Sequence, residues 1–228
     1  METDGTARRA GSVAAIALGG MYVAITVLYV VAGAPPEDIA QRLAYLAEHS
    51  TAWWAIVALS VATDLLFAPV MWALYLLLKG FGRSAMLAGT GLVGLFVVLD
   101  LAVTWPNYAA LITLGGDLAT AADDTRTATI LGAATYAGKV LSSGLFGVYA
   151  ILVPAAGIAI ISWIMLKPGF SRLTAYTGLA TGVFGLVSVA GPVFVAAAGT
   201  FAILTSVLTT LWVVLVGFKL WRPPAATG

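Results

Sequence analysis

The sequence contains no cysteine and only one histidine, His49. Without cysteine the chain cannot form disulfides, iron–sulfur centres or a catalytic thiolate, and the usual His and Cys ligands of zinc are missing. The sequence therefore predicts no metal site and no cofactor.

Charged side chains are also scarce. Only 9% of the 228 residues are Asp, Glu, Lys or Arg and 61% are hydrophobic, whereas a soluble domain has about 25% charged and about 45–50% apolar residues. This composition excludes a water-soluble fold and predicts the lipid bilayer as partner. Eleven Lys and Arg nearly balance ten Asp and Glu, so no basic surface is available for nucleic acid and we expect no nucleic-acid partner.

The sequence contains several long apolar runs. Because a helix needs about 20 apolar residues to cross a bilayer, we predict an all-α, polytopic membrane helix bundle that forms a single domain over residues 1–228. The six predicted transmembrane spans cover about 11–31, 53–78, 85–105, 145–166, 173–197 and 200–220. Two short outer amphipathic helices are predicted at about 36–48 and 124–141.

Loop charges predict how the spans are oriented, because Lys and Arg are retained on the cytoplasmic side during insertion. With six spans, only Arg42 and Arg126 fall on the outer side. We therefore predict that both termini are cytoplasmic. Eight basic residues then share the cytoplasmic side: Arg8, Arg9, Lys79, Arg83, Lys167, Arg172, Lys219 and Arg222.

Two acidic residues lie inside the predicted spans. Asp64 is 14 residues from the cytoplasmic end of its span at Leu78, and Asp100 is 15 residues from the corresponding end at Ala85. At 1.5 Å per residue both lie roughly 21–23 Å above the cytoplasmic interface. Since a carboxylate that faces lipid costs about 2.5–3.5 kcal/mol, we expect both side chains to face the interior of the bundle.

Counting the same distance along the other spans reaches mostly polar residues at the depth of the two aspartates, which predicts a polar layer. They are Thr26 (or Val27), Pro154, Ser188 and the pair Thr205 and Ser206. The predicted ligand-binding residues are drawn from this layer, from the helix faces of the aspartates and from nearby aromatic residues. They are Asp64, Asp100, Tyr22, Thr104, Trp105, Asn107, Tyr108, Lys139, Tyr149 and Ser188.

Three local features refine this site. Pro106 is expected to end the third span just above Asp100 and to expose Asn107 and Tyr108 at the outer mouth. Two interpretations of Lys139 stay open: it snorkels to the interface, or the helix bends at residues 142–144 and turns the ammonium inward. Five tryptophans near span ends are typical of an interfacial belt: Trp53, Trp54, Trp163, Trp212 and Trp221.

Glycine spacing predicts close helix packing. Gly178 and Gly182 form a GxxxG pair, and Gly89, Gly91 and Gly94 crowd the third span. Such small residues let helix backbones approach each other. The same Gly-rich faces could serve packing within one chain or a homo-oligomer.

Three segments carry a family resemblance over nearly the whole chain. They are Asp64-Leu65-Leu66 followed by Leu74-Tyr75 and Leu78, the LDLAVTWPNY run at 99–108, and Met165-Leu166 leading to Phe170-Ser171-Arg172. On these residues the chain resembles a family of bacterial multi-pass membrane proteins classed as domain of unknown function 4386. The resemblance implies a multi-helix protein of the bacterial cytoplasmic (inner) membrane. It implies no reaction and no site residues.

Three classes of function fit these features. In the first, the paired aspartates form an intramembrane pocket that binds or translocates a small lipophilic or cationic ligand, or protons. In the second, a membrane-embedded enzyme performs acid catalysis on a lipophilic substrate, by analogy with small membrane-bound terpene cyclases. Asp64 and Asp100 are its candidate catalytic residues. In the third, the aspartates are interhelical hydrogen-bond glue in a structural protein.

Overall fold

The computed structural model describes residues 2–167 and 170–221, and these contain helices and no strands. Arg222, predicted to be cytoplasmic, lies outside the described residues. The α-helices are α1 (Glu2–Ala32), α2 (Ile39–Glu48), α3 (Ser50–Leu99), α4 (Trp105–Ala119), α5 (Asp124–Leu141), α6 (Gly144–Gly147), α7 (Val153–Met165), α8 (Arg172–Ala190) and α9 (Phe201–Trp221). A first π turn (Asp100–Thr104) joins α3 to α4, a second π turn (Val148–Leu152) joins α6 to α7, and 3-10 turns at Gly191–Val193 and Ala196–Thr200 connect α8 to α9.

Five helical stretches in the described part of the chain are long and apolar enough to cross a membrane. They are Gly5–Ala32, Ser50–Ala119, Gly144–Met165, Arg172–Val193 and Ala197–Trp221. All six predicted spans overlap one of these stretches, and the second and third predicted spans both fall within the longest one. The prediction of an all-helical protein with several helices able to span a bilayer is therefore confirmed.

The longest stretch folds back on itself at Gly82, where the backbone leaves the helical conformation (φ 173°, ψ 77°). Phe67 and Phe96, from opposite sides of this bend, bring their ring centroids within 6.0 Å. Farther from the bend, the Trp105 indole N–H donates a 2.7 Å hydrogen bond to Asp64. Residues 50–81 and 83–119 are therefore antiparallel, and we call them the first arm and the second arm.

Close backbone approaches hold the arms against the following helices. A Cβ at Gly82 would come within 2.9 Å of Ile164. Gly89 and Gly157 pack so closely that a Cβ on either would lie 3.0 Å or less from the other's carbonyl oxygen. The second arm and α7 can touch here only because both residues lack a side chain.

The other glycines of the two predicted packing faces behave differently. Gly178 and Gly182 both approach α7, at Ser162 and Ala159 respectively, so the GxxxG pair packs within this chain. The prediction that Gly91 and Gly94 also pack closely is wrong for this chain alone. Both residues are exposed and have no neighbour within 4 Å of an added Cβ, because they lie on the outward side of the helix that buries Gly89.

Two hydrophobic clusters divide the bundle along its length. The first cluster, nearer Gly82, draws on α1, both arms, α7 and α9 and includes Phe67, Met86, Ile158 and Trp212. The second cluster, at the opposite end, includes Leu43, Trp53, Ile56, Leu111 and Ile130. It packs α2 and α5, which form at the positions of the two predicted outer helices, onto the far ends of the arms.

The prediction that Pro106 ends the third span is wrong. Pro106 is the second residue of α4, and the helix continues to Ala119. Proline lacks the N–H that would bond one turn back, and the first π turn widens the helix immediately before it, so the chain continues without reversing. The second π turn stands in the same relation to Pro154.

The prediction of a tryptophan belt needs a correction at two positions. Trp54, Trp163 and Trp221 are exposed, as a belt requires, whereas Trp53 and Trp212 are 1% and 0% exposed. Both buried rings belong to the hydrophobic clusters. Position near a span end does not distinguish an interfacial ring from one that faces the core, because the two lie at the same depth.

Candidate functional site

A cavity of about 360 Å³ lies between the two hydrophobic clusters, at the level of the two π turns. Its walls come from α1, both arms, the second π turn with α7, and α9. We call it the inner cavity. Its polar lining includes Asp64, Asp100, Ser60, Thr63, Thr205 and Thr209, and its aromatic lining includes Tyr22, Phe67, Phe96 and Trp105.

Asp64 is held between the two arms. It is 2% exposed, and its Oδ2 accepts the 2.7 Å hydrogen bond from Nε1 of Trp105. Asp64 belongs to the first arm and Trp105 to the second, so this bond joins the antiparallel arms inside the bundle. The carboxyl of Asp64 is therefore partly committed to holding the fold.

Asp100 has a different environment. It is the first residue of the first π turn and is 5% exposed. Its carboxyl lies near the side chains of Thr104 and Asp64, but its Oδ1 has no hydrogen-bond partner in the described part of the chain. Because an unsatisfied buried acceptor costs about 1–3 kcal/mol, this oxygen favours a ligand that can donate to it.

The two π turns are linked beside the inner cavity. Thr104, at the end of the first π turn, lies 3.0 Å from the Tyr149 hydroxyl of the second, measured between the two oxygens. Neither residue lines the inner cavity. The pair joins the second arm to the segment before α7 and thereby fixes the turn that carries Asp100.

The inner cavity opens to the outside between α1 and α9. Nearer Gly82 these helices are in contact, and the Ser12 hydroxyl donates a 2.7 Å hydrogen bond to the carbonyl of Gly217. Farther along, several residues line the cavity and are also exposed, among them Ile203 at 72%. We call this gap the side opening. Its exposed lining residues are Thr26, Tyr29, Ile203, Ser206 and Val207.

The structure brings four of the ten predicted binding residues into the inner cavity: Tyr22, Asp64, Asp100 and Trp105. Thr104 and Tyr149 form the pair behind Asp100. From the predicted polar layer, Thr26, Pro154, Thr205 and Ser206 also line the cavity. The expectation that both aspartates face a common interior space agrees with these positions.

The remaining four predicted residues lie elsewhere. Asn107 donates to the carbonyl of Val103 in its own helix at 2.7 Å. Ser188 is buried, but its hydroxyl donates to Gly185 of its own helix at 2.9 Å. Tyr108 lines a separate cavity.

Lys139 does not reach either cavity. It lies in the last turn of α5 and is exposed, so the inward-bend hypothesis is wrong. The helix does break after Leu141, where the hydroxyl of Ser143 accepts a 3.3 Å hydrogen bond from the N–H of Phe146. Lys139 nevertheless stays outside, where its charge is favourable beside the carbonyl end of a helix.

Several residues of the inner cavity were not predicted. Thr63 adjoins Asp64 in sequence, and Phe67 lies one helical turn further along the first arm. On α9, Thr209 follows Thr205 at a spacing of four, and both line the cavity. Threonines repeated at that spacing in an apolar helix share one face, and this signal could have identified α9 as a cavity wall.

The chain matches no family model, no curated protein and no solved structure. The resemblance to domain of unknown function 4386 therefore stays a prediction. The functional argument rests on the geometry of the inner cavity.

Proposed function

We propose that the inner cavity binds a small lipophilic molecule with a cationic or hydrogen-bond-donating head group. The observation that carries this proposal is the unpartnered Oδ1 of Asp100, which lies beside Asp64 in a cavity otherwise walled mainly by apolar and aromatic side chains. A buried acidic pair attracts a positive head group, and the rings of Tyr22 and Trp105 add a cation–π contribution. The apolar walls accommodate the lipophilic body.

The proposal includes six membrane crossings with both termini in the cytoplasm. The 70-residue stretch Ser50–Ala119 is bent at Gly82, and each of its arms exceeds the roughly 20 residues that one crossing requires. Six crossings place the predicted cytoplasmic Lys and Arg residues on one side. We propose the bacterial cytoplasmic (inner) membrane as the location, in keeping with the resemblance to domain of unknown function 4386.

The side opening supplies the route of entry in this proposal. It lies between α1 and α9, on the outer surface of the bundle, where lipid tails would contact the exposed Ile203 and Val207. A lipophilic molecule dissolved in the bilayer can therefore reach Asp100 without passing through water. This geometry favours a membrane-dissolved ligand over a water-soluble one.

Photolabelling tests the proposal directly. Purified protein in lipid nanodiscs is irradiated with octylamine that bears a diazirine, and the labelled peptides are identified by mass spectrometry. We expect labels on the peptides that line the inner cavity and the side opening. Because a hydrogen bond to a charged group contributes about 1.5–3 kcal/mol, Asp100→Asn should lower this labelling about tenfold or more.

Two controls sharpen the measurement. Asp124→Asn changes an exposed aspartate at the start of α5 and should leave labelling unchanged. Diazirine-bearing octanoate has the same length and the opposite charge, so it should label the cavity peptides weakly. Equal labelling by amine and carboxylate, or by wild type and Asp100→Asn, would contradict the proposal.

Acid catalysis on a lipophilic substrate is a second candidate, favoured by the five aromatic rings that line the cavity together with the aspartates. One protonated carboxyl would donate its proton to a carbon–carbon double bond, and the rings would stabilise the resulting cation. A carboxylate would then remove a proton from a neighbouring carbon, which yields an isomer and restores the acid. Incubation with an isoprenoid alkene and chromatographic detection of an isomer of unchanged mass separate this candidate from simple binding.

A further inference from the structure

A second cavity, of about 270 Å³, lies between α2, α5 and the far ends of the two arms. We call it the outer cavity. A stack of three rings separates it from the inner cavity: the ring centroids of Trp105 and Tyr108 are 5.8 Å apart, and those of Tyr108 and Trp53 are 5.7 Å apart. Trp105 lines the inner cavity, whereas Tyr108 and Trp53 line the outer one.

Trp53 lines the outer cavity and carries an unsatisfied donor. Its side chain is 1% exposed, and its Nε1 has no hydrogen-bond partner in the described part of the chain. The ring is held by an edge contact with Tyr29 and by stacking on Tyr108. An indole N–H can only donate, so the group that satisfies it must be an acceptor.

Arg42 contributes the charge of the outer cavity. Its Nε donates a 2.8 Å hydrogen bond to the carbonyl of Pro36, which restricts the orientation of the guanidinium without using the N–H groups of its two terminal nitrogens. No acidic residue lines the outer cavity, and within residues 2–167 and 170–221 no carboxylate pairs with Arg42. Tyr108 and Ser142 also line the cavity. The Ser142 hydroxyl donates to the carbonyl of Lys139, whereas the Tyr108 hydroxyl can supply a further donor.

We infer that the outer cavity binds a small oxyanion, whose oxygens accept hydrogen bonds from the guanidinium of Arg42 and the indole N–H of Trp53. A guanidinium matches the oxygen geometry of a phosphate or carboxylate group, and the buried indole supplies a donor that no described residue of the chain accepts. The anion is either a free ion or the head group of an anionic lipid. This inference rests on residues outside the inner cavity and is independent of the function proposed for that cavity.

The test uses delipidated full-length protein in a non-ionic detergent, titrated with sodium phosphate against sodium chloride at matched ionic strength. We expect phosphate to raise the melting temperature of wild type. Arg42→Gln removes the charge, and Trp53→Phe removes the indole N–H while keeping a smaller aromatic ring. Each should weaken the apparent phosphate affinity about tenfold, since one charge-assisted hydrogen bond contributes about 1.5–3 kcal/mol.

Matched controls exist for both variants. Arg126→Gln removes an exposed cation from the same predicted side of the bundle. Trp212→Phe removes another buried indole N–H without a partner, in a residue that lines neither cavity. Both controls should bind phosphate like wild type.

A third variant closes the outer cavity without removing a donor. A Cβ at Gly138 would lie 3.5 Å from Ile39 and 3.8 Å from the Arg42 guanidinium, which are ordinary contacts. Gly138→Ala should therefore fold and bind, whereas Gly138→Leu should fill the cavity and abolish the phosphate-dependent rise in melting temperature. If Trp53→Phe fails to fold, this variant and Arg42→Gln still decide the question.

The source of the anion is distinguished in nanodiscs. If a lipid head group is the ligand, phosphatidylglycerol is retained on wild type and lost from Arg42→Gln in native mass spectrometry. If a free ion is the ligand, phosphate stabilises wild type equally in phosphatidylcholine and phosphatidylglycerol nanodiscs. The inference is overturned if wild type neither retains lipid nor is stabilised by phosphate. It is also overturned if wild type and Arg42→Gln bind equally.

Discussion

The two cavities differ in which kind of polar group is left without a partner. In the inner cavity it is an acceptor, the Oδ1 of Asp100, and in the outer cavity it is a donor, the Nε1 of Trp53. The two tryptophans of the ring stack between them make the contrast clear. The Nε1 of Trp105 donates to Asp64, whereas the Nε1 of Trp53 has no acceptor among the described residues. Cavities on opposite faces of one aromatic stack are thus suited to ligands of opposite charge.

This difference assigns separate tasks to the two aspartates. Asp64 already accepts a hydrogen bond that joins the arms, and Asp100 keeps one oxygen without a partner. The hydrogen-bond-glue hypothesis therefore fits Asp64, and the ligand-pocket hypothesis fits Asp100. We expect Asp64 to dominate stability and Asp100 to dominate ligand binding.

Removing the central ring of the stack should have the largest effect. Tyr108→Ala deletes the ring between Trp53 and Trp105, and truncating a large aromatic side chain that is only partly buried should cost about 2–4 kcal/mol of unfolding free energy. It should also join the two cavities, so that diazirine-bearing octylamine labels α5 as well. Denaturation in detergent and peptide mapping measure the two effects.

Tyr108→Phe is the matched control, because it keeps the ring and removes only the hydroxyl. It should retain near-wild-type stability and leave the labelling pattern confined to the inner cavity. A Tyr108→Ala protein with wild-type stability and wild-type labelling would show that the ring stack does not separate the cavities.

The next largest effect is expected at Asp64. Asp64→Ala leaves the buried N–H of Trp105 without an acceptor, which should cost about 1–3 kcal/mol. Asp100→Asn, which breaks no hydrogen bond to Trp105, should change stability by less than about 1 kcal/mol. Chemical denaturation of both variants measures this contrast, and the reverse order would contradict the division of tasks between the aspartates.

A double-mutant cycle isolates the bond itself. Trp105→Phe keeps an aromatic ring and removes the donor, so the combined Asp64→Ala and Trp105→Phe variant should be less destabilised than the sum of the two single variants. A coupling free energy of about 1 kcal/mol is expected for a hydrogen bond in the interior of the bundle. Additive effects would mean that the 2.7 Å contact does not contribute to stability.

Height along the helix bundle could be predicted from the sequence, whereas direction around each helix could not. Counting residues from the span ends placed Asp64, Asp100 and Thr205 at one level, and all three line the inner cavity. The same count selected Ser188, which lies outside it. In a membrane helix both the lipid-facing and the core-facing sides are apolar, so hydrophobic periodicity gives no reliable direction.

The π turns add a second obstacle to prediction. Each inserts wider helical geometry before a proline, and this changes the direction in which Asp100 and the residues after it point. Proline alone suggested a helix end at Pro106. The outer cavity was missed for a related reason: Trp53 resembles a belt residue and Arg42 a loop charge, and only the tertiary packing of α2 and α5 brings them together.

A smaller effect is expected where the two π turns meet. Thr104→Val preserves side-chain shape and removes the hydroxyl that pairs with Tyr149 at 3.0 Å. Losing a neutral hydrogen bond should lower the unfolding free energy by about 0.5–1.5 kcal/mol. Thr113→Val, at an exposed position whose hydroxyl bonds only its own helix, is the control and should have little effect. Equal stability of the two variants would show that the hydrogen bond between Thr104 and Tyr149 does not stabilise the fold.

The smallest effects compare two residues of the predicted polar layer that the structure places differently. Thr205 lines the inner cavity and Ser188 does not, although each hydroxyl bonds a carbonyl of its own helix. Thr205→Val and Ser188→Ala should therefore each lower the unfolding free energy by less than Thr104→Val does, because each loses only a hydroxyl bond within its own helix. Only Thr205→Val should reduce labelling by diazirine-bearing octylamine, because only Thr205 lines the inner cavity. Reduced labelling in Ser188→Ala instead would mean that depth alone, rather than the face of each helix, defines the site.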